Sequence, residues 1–156
     1  MPVTIEVLCR SNQIMTRQAI IDFVNGGAYF DEAPRFVPPA GSDDAVASAW
    51  IFLEIHYQPD KRPVQISHYA NGTELTDIKQ EASDQVIAMG LASPFPELEE
   101  RLLTSRQAFV IEVGFVDVPE DCWEMIDALN AFLARTLDGV VHASDGFYDQ
   151  DLQPIR

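Results

Sequence analysis

Residues 50–57 read Trp50-Ile51-Phe52-Leu53-Glu54-Ile55-His56-Tyr57, and after a turn residues 64–70 read Val64-Gln65-Ile66-Ser67-His68-Tyr69-Ala70. The first run is strongly apolar and rich in strand formers; the second alternates apolar with polar residues. The segment between them, Gln58-Pro59-Asp60-Lys61-Arg62-Pro63, is a turn, so the two runs predict an antiparallel hairpin. Pairing Tyr57 with Val64 sets His68 opposite Leu53 and His56 opposite Gln65. Opposed residues share a face. One face then holds Ile51, Leu53, Ile55 and Tyr57 with Val64, Ile66, His68 and Ala70, and belongs against helices. The reverse face holds Trp50, Phe52, Glu54 and His56 with Gln65, Ser67 and Tyr69.

Working outward, residues 3–9 alternate, with Val3, Ile5, Val7 and Cys9 on one side and Thr4, Glu6 and Leu8 on the other. Several capping residues between Ser11 and Thr16 precede a helical stripe of Ala19, Ile20, Phe23 and Val24 that Gly26-Gly27 ends. Residues 28–48 have no clear period and are expected to be a long irregular loop, with room for a short strand around Arg35 to Val37. A second helix is predicted from Leu75 to Met89 on the stripe Leu75, Ile78, Ala82, Val86 and Met89, with Gly90 as terminator. A short helix over Glu97–Thr104 follows the rigid Ser93-Pro94-Phe95-Pro96, and 109–116 reads as a strand with Phe109, Ile111, Val113 and Phe115 toward the helices and Val110, Glu112 and Gly114 away from them. Asp117-Val118-Pro119-Glu120 resembles a capping box. It opens a third long helix with Cys122, Met125, Ile126, Leu129, Phe132, Leu133 and Leu137 on one face. A closing hairpin pairs Val140–Ala143 with Phe147–Asp149.

The order β-α-β-β-α-β-α-β-β implies an α+β fold, a mainly antiparallel sheet with helices on one face. It reads either as a ferredoxin-like core with a C-terminal extension or as two βαββ units. The whole chain, 1–156, is expected to be one domain.

Ten Lys and Arg stand against twenty-five Asp and Glu, a formal charge of −15. Such a surface repels phosphate, which argues against nucleic acid and anionic membranes as partners and for attraction of a basic protein. No apolar run approaches the ~20 residues of a membrane span. Met1 to Glu6 lacks the build of a signal peptide, and the expected location is cytoplasmic, with Cys9 and Cys122 as reduced thiols.

The strand faces also define a candidate contact surface. One glutamate from each of three strands, Glu6, Glu54 and Glu112, is expected to project from a helix-free face beside Trp50, Phe52, His56 and Tyr69. Aromatic side chains supply stiff contact area, and carboxylates accept Arg or Lys from a partner. The same carboxylates could hold a divalent cation, and an exposed apolar face would also suit a homodimer. Of the histidines, His68 is expected in the core and His142 has no identifiable partner. Cys122 sits in the first turn of a helix, where the dipole lowers a thiol pKa. The chain has no nucleophile elbow, phosphate loop, dinucleotide fingerprint or zinc spacing. No catalytic residue, metal ligand or cofactor is assigned.

In size, acidity and α+β build, and in lacking catalytic motifs, the chain is similar to small acidic bacterial immunity proteins, which neutralise a toxin by covering its active site. That likeness implies a non-catalytic inhibitor of a basic partner and carries no residue assignments. The alternatives are a small-molecule-binding regulatory domain of ferredoxin-like type, and a hydrolase using clustered carboxylates and metal.

Overall fold

The computed structural model describes residues 3–114 and 116–156. Phe115, expected toward the helices, lies outside the described residues, as do Met1 and Pro2. The elements in chain order are β1 (Val3–Cys9), α1 (Arg17–Gly27), β2 (Arg35–Val37), α2 (Asp43–Val46), β3 (Phe52–His56), β4 (Val64–Tyr69), α3 (Gly72–Ala88), α4 (Pro96–Leu103), β5 (Gln107–Val113), α5 (Glu120–Leu137), β6 (Gly139–Ala143) and β7 (Gly146–Tyr148). The strands form a seven-stranded sheet in the order β2-β3-β4-β5-β1-β6-β7. The class is therefore α+β with a mainly antiparallel sheet, and each expected element is present. The 28–48 segment additionally holds β2 and the short α2.

The strand order separates the two topological readings. A split-βαβ core would seat β1 between β4 and β5; here β1 lies between β5 and β6. The central strands β5 and β1 are instead the leading strands of the two βαββ units, and each neighbours the hairpin of the other unit.

The chain packs as two compact units. Unit 1 comprises Met1–Thr4, Ile14–His68 and Val110–Asn130; unit 2 comprises Ile5–Gln13, Tyr69–Phe109 and Ala131–Arg156.

In unit 1, β3 and β4 pair as Ile55 with Val64, Glu54 with Gln65, Leu53 with Ile66 and Phe52 with Ser67. This is two residues away from the expected register. The turn is longer than expected, because Tyr57 lies beyond the strand and Lys61 N–H donates to the Gln58 carbonyl. A shift of two leaves every side chain on its expected face, since the pleat has period two. Leu53, Ile55, Val64, Ile66 and His68 are buried, as is Phe36 of β2, paired with Ile55. The pattern fails at the hairpin ends. Trp50 and Ile51 precede the strand; Trp50 is buried at 6% exposure while Ile51 is 76% exposed, the reverse of expectation. Ala70, expected inward, is exposed because β4 ends at Tyr69.

Helix α1 begins where the Thr16 hydroxyl accepts from the Ala19 N–H, a side-chain cap that satisfies one orphan donor of the first turn. Its last residue is Gly27, and a Cβ there would run into the Tyr29 ring, which folds back over it. The left-handed cap residue is Ala28, not a glycine.

In unit 2, β1 pairs with β6, setting Glu6 opposite His142, Leu8 opposite Val140 and Cys9 opposite Gly139. Val7, Cys9 and Gly139 face α5: a Cβ on Gly139 would stand 3.1 Å from Cys9 Sγ and Ala134 Cα. By alternation Leu8 points the other way. There it packs with Ala108, Val140 and Phe147 in one apolar cluster with Leu75, Ala82 and Val86 of α3 and Leu98 and Leu102 of α4. The strands of unit 2 are thus covered on both faces, and the expectation of helices on one face does not extend to this unit. The outer side of β7 is covered as well. The C-terminal segment returns along it, with Ile155 N–H donating to Phe147 O, Asp149 N–H to Gln153 O, and Tyr148 bridging to Pro154.

Candidate functional site

The β2–β3–β4 face of unit 1 carries the candidate contact surface. Arg35, His56, Val37 and Glu54 form cross-strand pairs there, and Glu54 lies opposite Gln65. Four of these side chains are linked. Arg35 Nη2 lies 3.2 Å from His56 Nδ1, His56 Nε2 lies 3.3 Å from Glu54 Oε1, and Gln65 Nε2 donates to Glu54 Oε2 at 3.3 Å. A guanidinium can only donate. His56 Nδ1 therefore accepts from Arg35, and Nε2 carries the hydrogen toward Glu54. The chain of donors runs Arg35 to His56 to Glu54, with Gln65 arriving from the other side.

Beside this network stand two exposed apolar side chains, Phe52 at 37% and Val37 at 38% exposure. Phe52, Glu54 and His56 are thus brought together as expected, and Glu112 on β5 is half-buried between the buried Ile111 and Val113. Arg35 and Gln65 join the site without having been assigned to it. Their signal was the pairing itself: once β2 lies beside β3, Arg35 must face His56.

The remaining candidates lie elsewhere. Trp50 is not on this face. Its Nε1–H donates to Met15 O at 2.7 Å, its ring stacks on His68 with centroids 4.9 Å apart, and Arg17 lies over the ring at 5.7 Å. A buried indole N–H needs such an acceptor. Arg17 also ties α2 to the start of β3, donating to Asp44 O and Phe52 O. His68 is a core histidine as expected, its Nδ1 3.3 Å from Trp50 O.

Glu6 and Tyr69 belong to unit 2. Tyr69 packs against the α3–α4 cluster. Glu6 lies 3.0 Å from His142 Nδ1, both side chains at 15% exposure, and the His142 ring stacks on Phe147 at 4.4 Å. His142, read from sequence as having no partner, has one. The contact depends on a register between strands more than a hundred residues apart, which no local pattern shows.

Both ring nitrogens of His56 are engaged by Arg35 and Glu54, and among the described residues no hydroxyl or thiol is hydrogen-bonded to it to act as a nucleophile. Among the described residues, no three His, Cys, Asp or Glu side chains come together as a group able to hold a metal, so Glu6, Glu54 and Glu112 do not form one. Cys122 is buried. Burial pushes its thiol up to about 11, a hydrogen bond with Tyr57 pulls the other way, and Asp121 adds to the rise. The helix-start position does not produce a reactive thiolate. Burial likewise raises Cys9, with Asp138 adding to it. Both cysteines are free. Among the described residues no helix is long and apolar enough to cross a membrane.

No protein family, curated protein or solved structure matches the chain.

Proposed function

We propose that this chain is a non-catalytic binding protein, an inhibitor or immunity factor whose partner is a basic protein. The observation that carries the reading is an exposed aromatic–aliphatic pair, Phe52 and Val37, set beside a half-buried carboxylate on a chain of net charge −15. The apolar pair offers anchoring area, and Glu54 keeps lone pairs for an arriving Arg or Lys. The overall charge steers a cationic partner toward the surface and disfavours nucleic acid. In this reading the protein works in the cytoplasm.

The test is capture of cationic proteins on the immobilised chain, followed by titration of a captured basic protein at low and high salt. Binding is expected to weaken as salt rises, because exposed charge attraction is screened within about 8–10 Å at physiological ionic strength. Phe52→Asp and Glu54→Lys are each expected to weaken it about tenfold or more. Binding that ignores both substitutions, or a chain that only self-associates through this face, contradicts the proposal.

A further inference from the structure

Unit 2 contains a cleft of about 240 Å³ between α4 and the returning C-terminal segment. Its volume is below the ~300–1,000 Å³ of pockets for drug-sized ligands, so its occupant must be smaller. Its lining is divided by chemistry. Phe95, Leu98, Pro154 and Ile155 give an apolar wall, and two residues of each charge complete it: Glu97 and Asp149, Arg101 and Arg156.

Two features suit the cleft to a small ligand. First, its walls are fixed. The returning segment is held by Ile155 N–H to Phe147 O at 2.9 Å and by Asp149 Oδ1, which accepts from the N–H groups of Asp151 and Gln153. Phe95 and Ile155 pack on the core cluster behind them. A preformed site avoids the ordering cost of binding. Second, Arg101 is incompletely used. Its Nη2 donates to Asp138 Oδ1 at 3.1 Å, yet its Nε–H is buried with no partner. Arg101 lines the cleft, and the Asp138 contact uses one of its five N–H donors, so its terminal N–H groups can donate to an acceptor that enters.

A simple anion would meet Glu97 and Asp149, and a simple cation would meet the two arginines. A molecule carrying both charges close together, with an apolar body, satisfies all three parts of the lining. We propose that this cleft binds the zwitterion of a small apolar α-amino acid. The carboxylate is taken by Arg101 and Arg156, the ammonium by Glu97 and Asp149, and the side chain by Phe95, Leu98 and Ile155. This goes beyond the binding reading of unit 1 and uses none of its residues.

The experiment is a titration of the ¹⁵N-labelled full chain with L-leucine, leucinamide and N-acetyl-leucine. L-Leucine is expected to give saturable shifts at residues 95–101 and 149–156, with a Kd on the order of 1 mM, as suits so few atoms. The amide and the N-acetyl compound, each missing one charge, are expected to bind at least about tenfold more weakly. Arg101→Lys keeps the charge but loses the forked donors, and Glu97→Gln removes an exposed carboxylate; each is expected to weaken leucine binding about tenfold. Absence of saturable shifts with L-leucine, L-valine and L-phenylalanine alike overturns the proposal. So do equal affinities for leucine and its two blocked forms.

Discussion

In unit 1, the face of β3 and β4 that carries Phe52, Glu54 and His56 stays half-exposed. In unit 2, the face of β1 and β6 that carries Glu6, Leu8 and Val140 is covered by α3 and α4. Each face begins with the same motif, a glutamate alternating with apolar neighbours. The difference is visible in the residue two places on. Leu8 stands between Val7 and Cys9 and Val140 beside Val141, so these strands run apolar on consecutive positions. That is the mark of burial on both sides. Glu54 instead stands between Leu53 and Ile55 on a strand whose other outward groups are Phe52 and His56. A carboxylate in an alternating strand says which way it points; its same-face neighbours say whether water or a helix is waiting there.

The contrast is most easily broken by truncation. Leu8→Ala is expected to destabilise the protein by about 2–5 kcal/mol, as a large-to-small change in a closed cluster, and Phe52→Ala by less than about 1 kcal/mol. Chemical denaturation of both variants checks this, and equal costs would erase the distinction. A smaller effect separates the two carboxylates. Glu6→Ala leaves His142 without its partner at a site of 15% exposure, at an expected cost of about 1–3 kcal/mol; Glu54→Ala, on the open face, is expected to cost about 0–1 kcal/mol.

Much of the fold was legible because it is local. Helices α1, α3, α4 and α5 follow from apolar stripes bounded by capping residues and turns, and the β3–β4 faces survive even though their register is off by two. What was hidden depends on distant partners. Trp50 turns inward because Met15 O and His68 receive it, and the irregular 48–51 stretch frees it from the strand's alternation. Glu6 finds His142 only through the β1–β6 pairing. The placement of α3 and α4 on the Leu8 side is a choice of tertiary packing that a helical stripe leaves open. In the candidate site, Phe52, Glu54 and His56 were readable from the hairpin alone. Arg35 needed the short β2, and Trp50, Glu6 and Tyr69 needed the whole sheet.

Helix starts sharpen the same contrast on a smaller scale. Thr16 caps α1 through its hydroxyl, whereas the Asn71 side chain makes no capping bond to α3. Thr16→Ala is expected to cost about 1 kcal/mol and Asn71→Ala only a few tenths, both read by thermal or urea melts. The Cys122 thiol in unit 1 adds a pH signature. Its folded-state pKa is raised from 9.0 to about 11, so the folded state holds this proton more tightly than the unfolded chain. The associated stability is complete below pH 9 and is lost as pH rises toward 11. Urea melts across that interval should show a steeper loss for the native sequence than for Cys122→Ala; parallel curves would mean that the thiol does not contribute.

The most direct test of the open and the roofed face is solvent paramagnetic broadening of side-chain NMR signals in one sample. Strong broadening of the Phe52 ring and Val37 methyls, with Leu8, Leu102 and Val140 methyls untouched, is the expected result. Broadening of Leu8 and Val140 to the same degree as Val37 would contradict it.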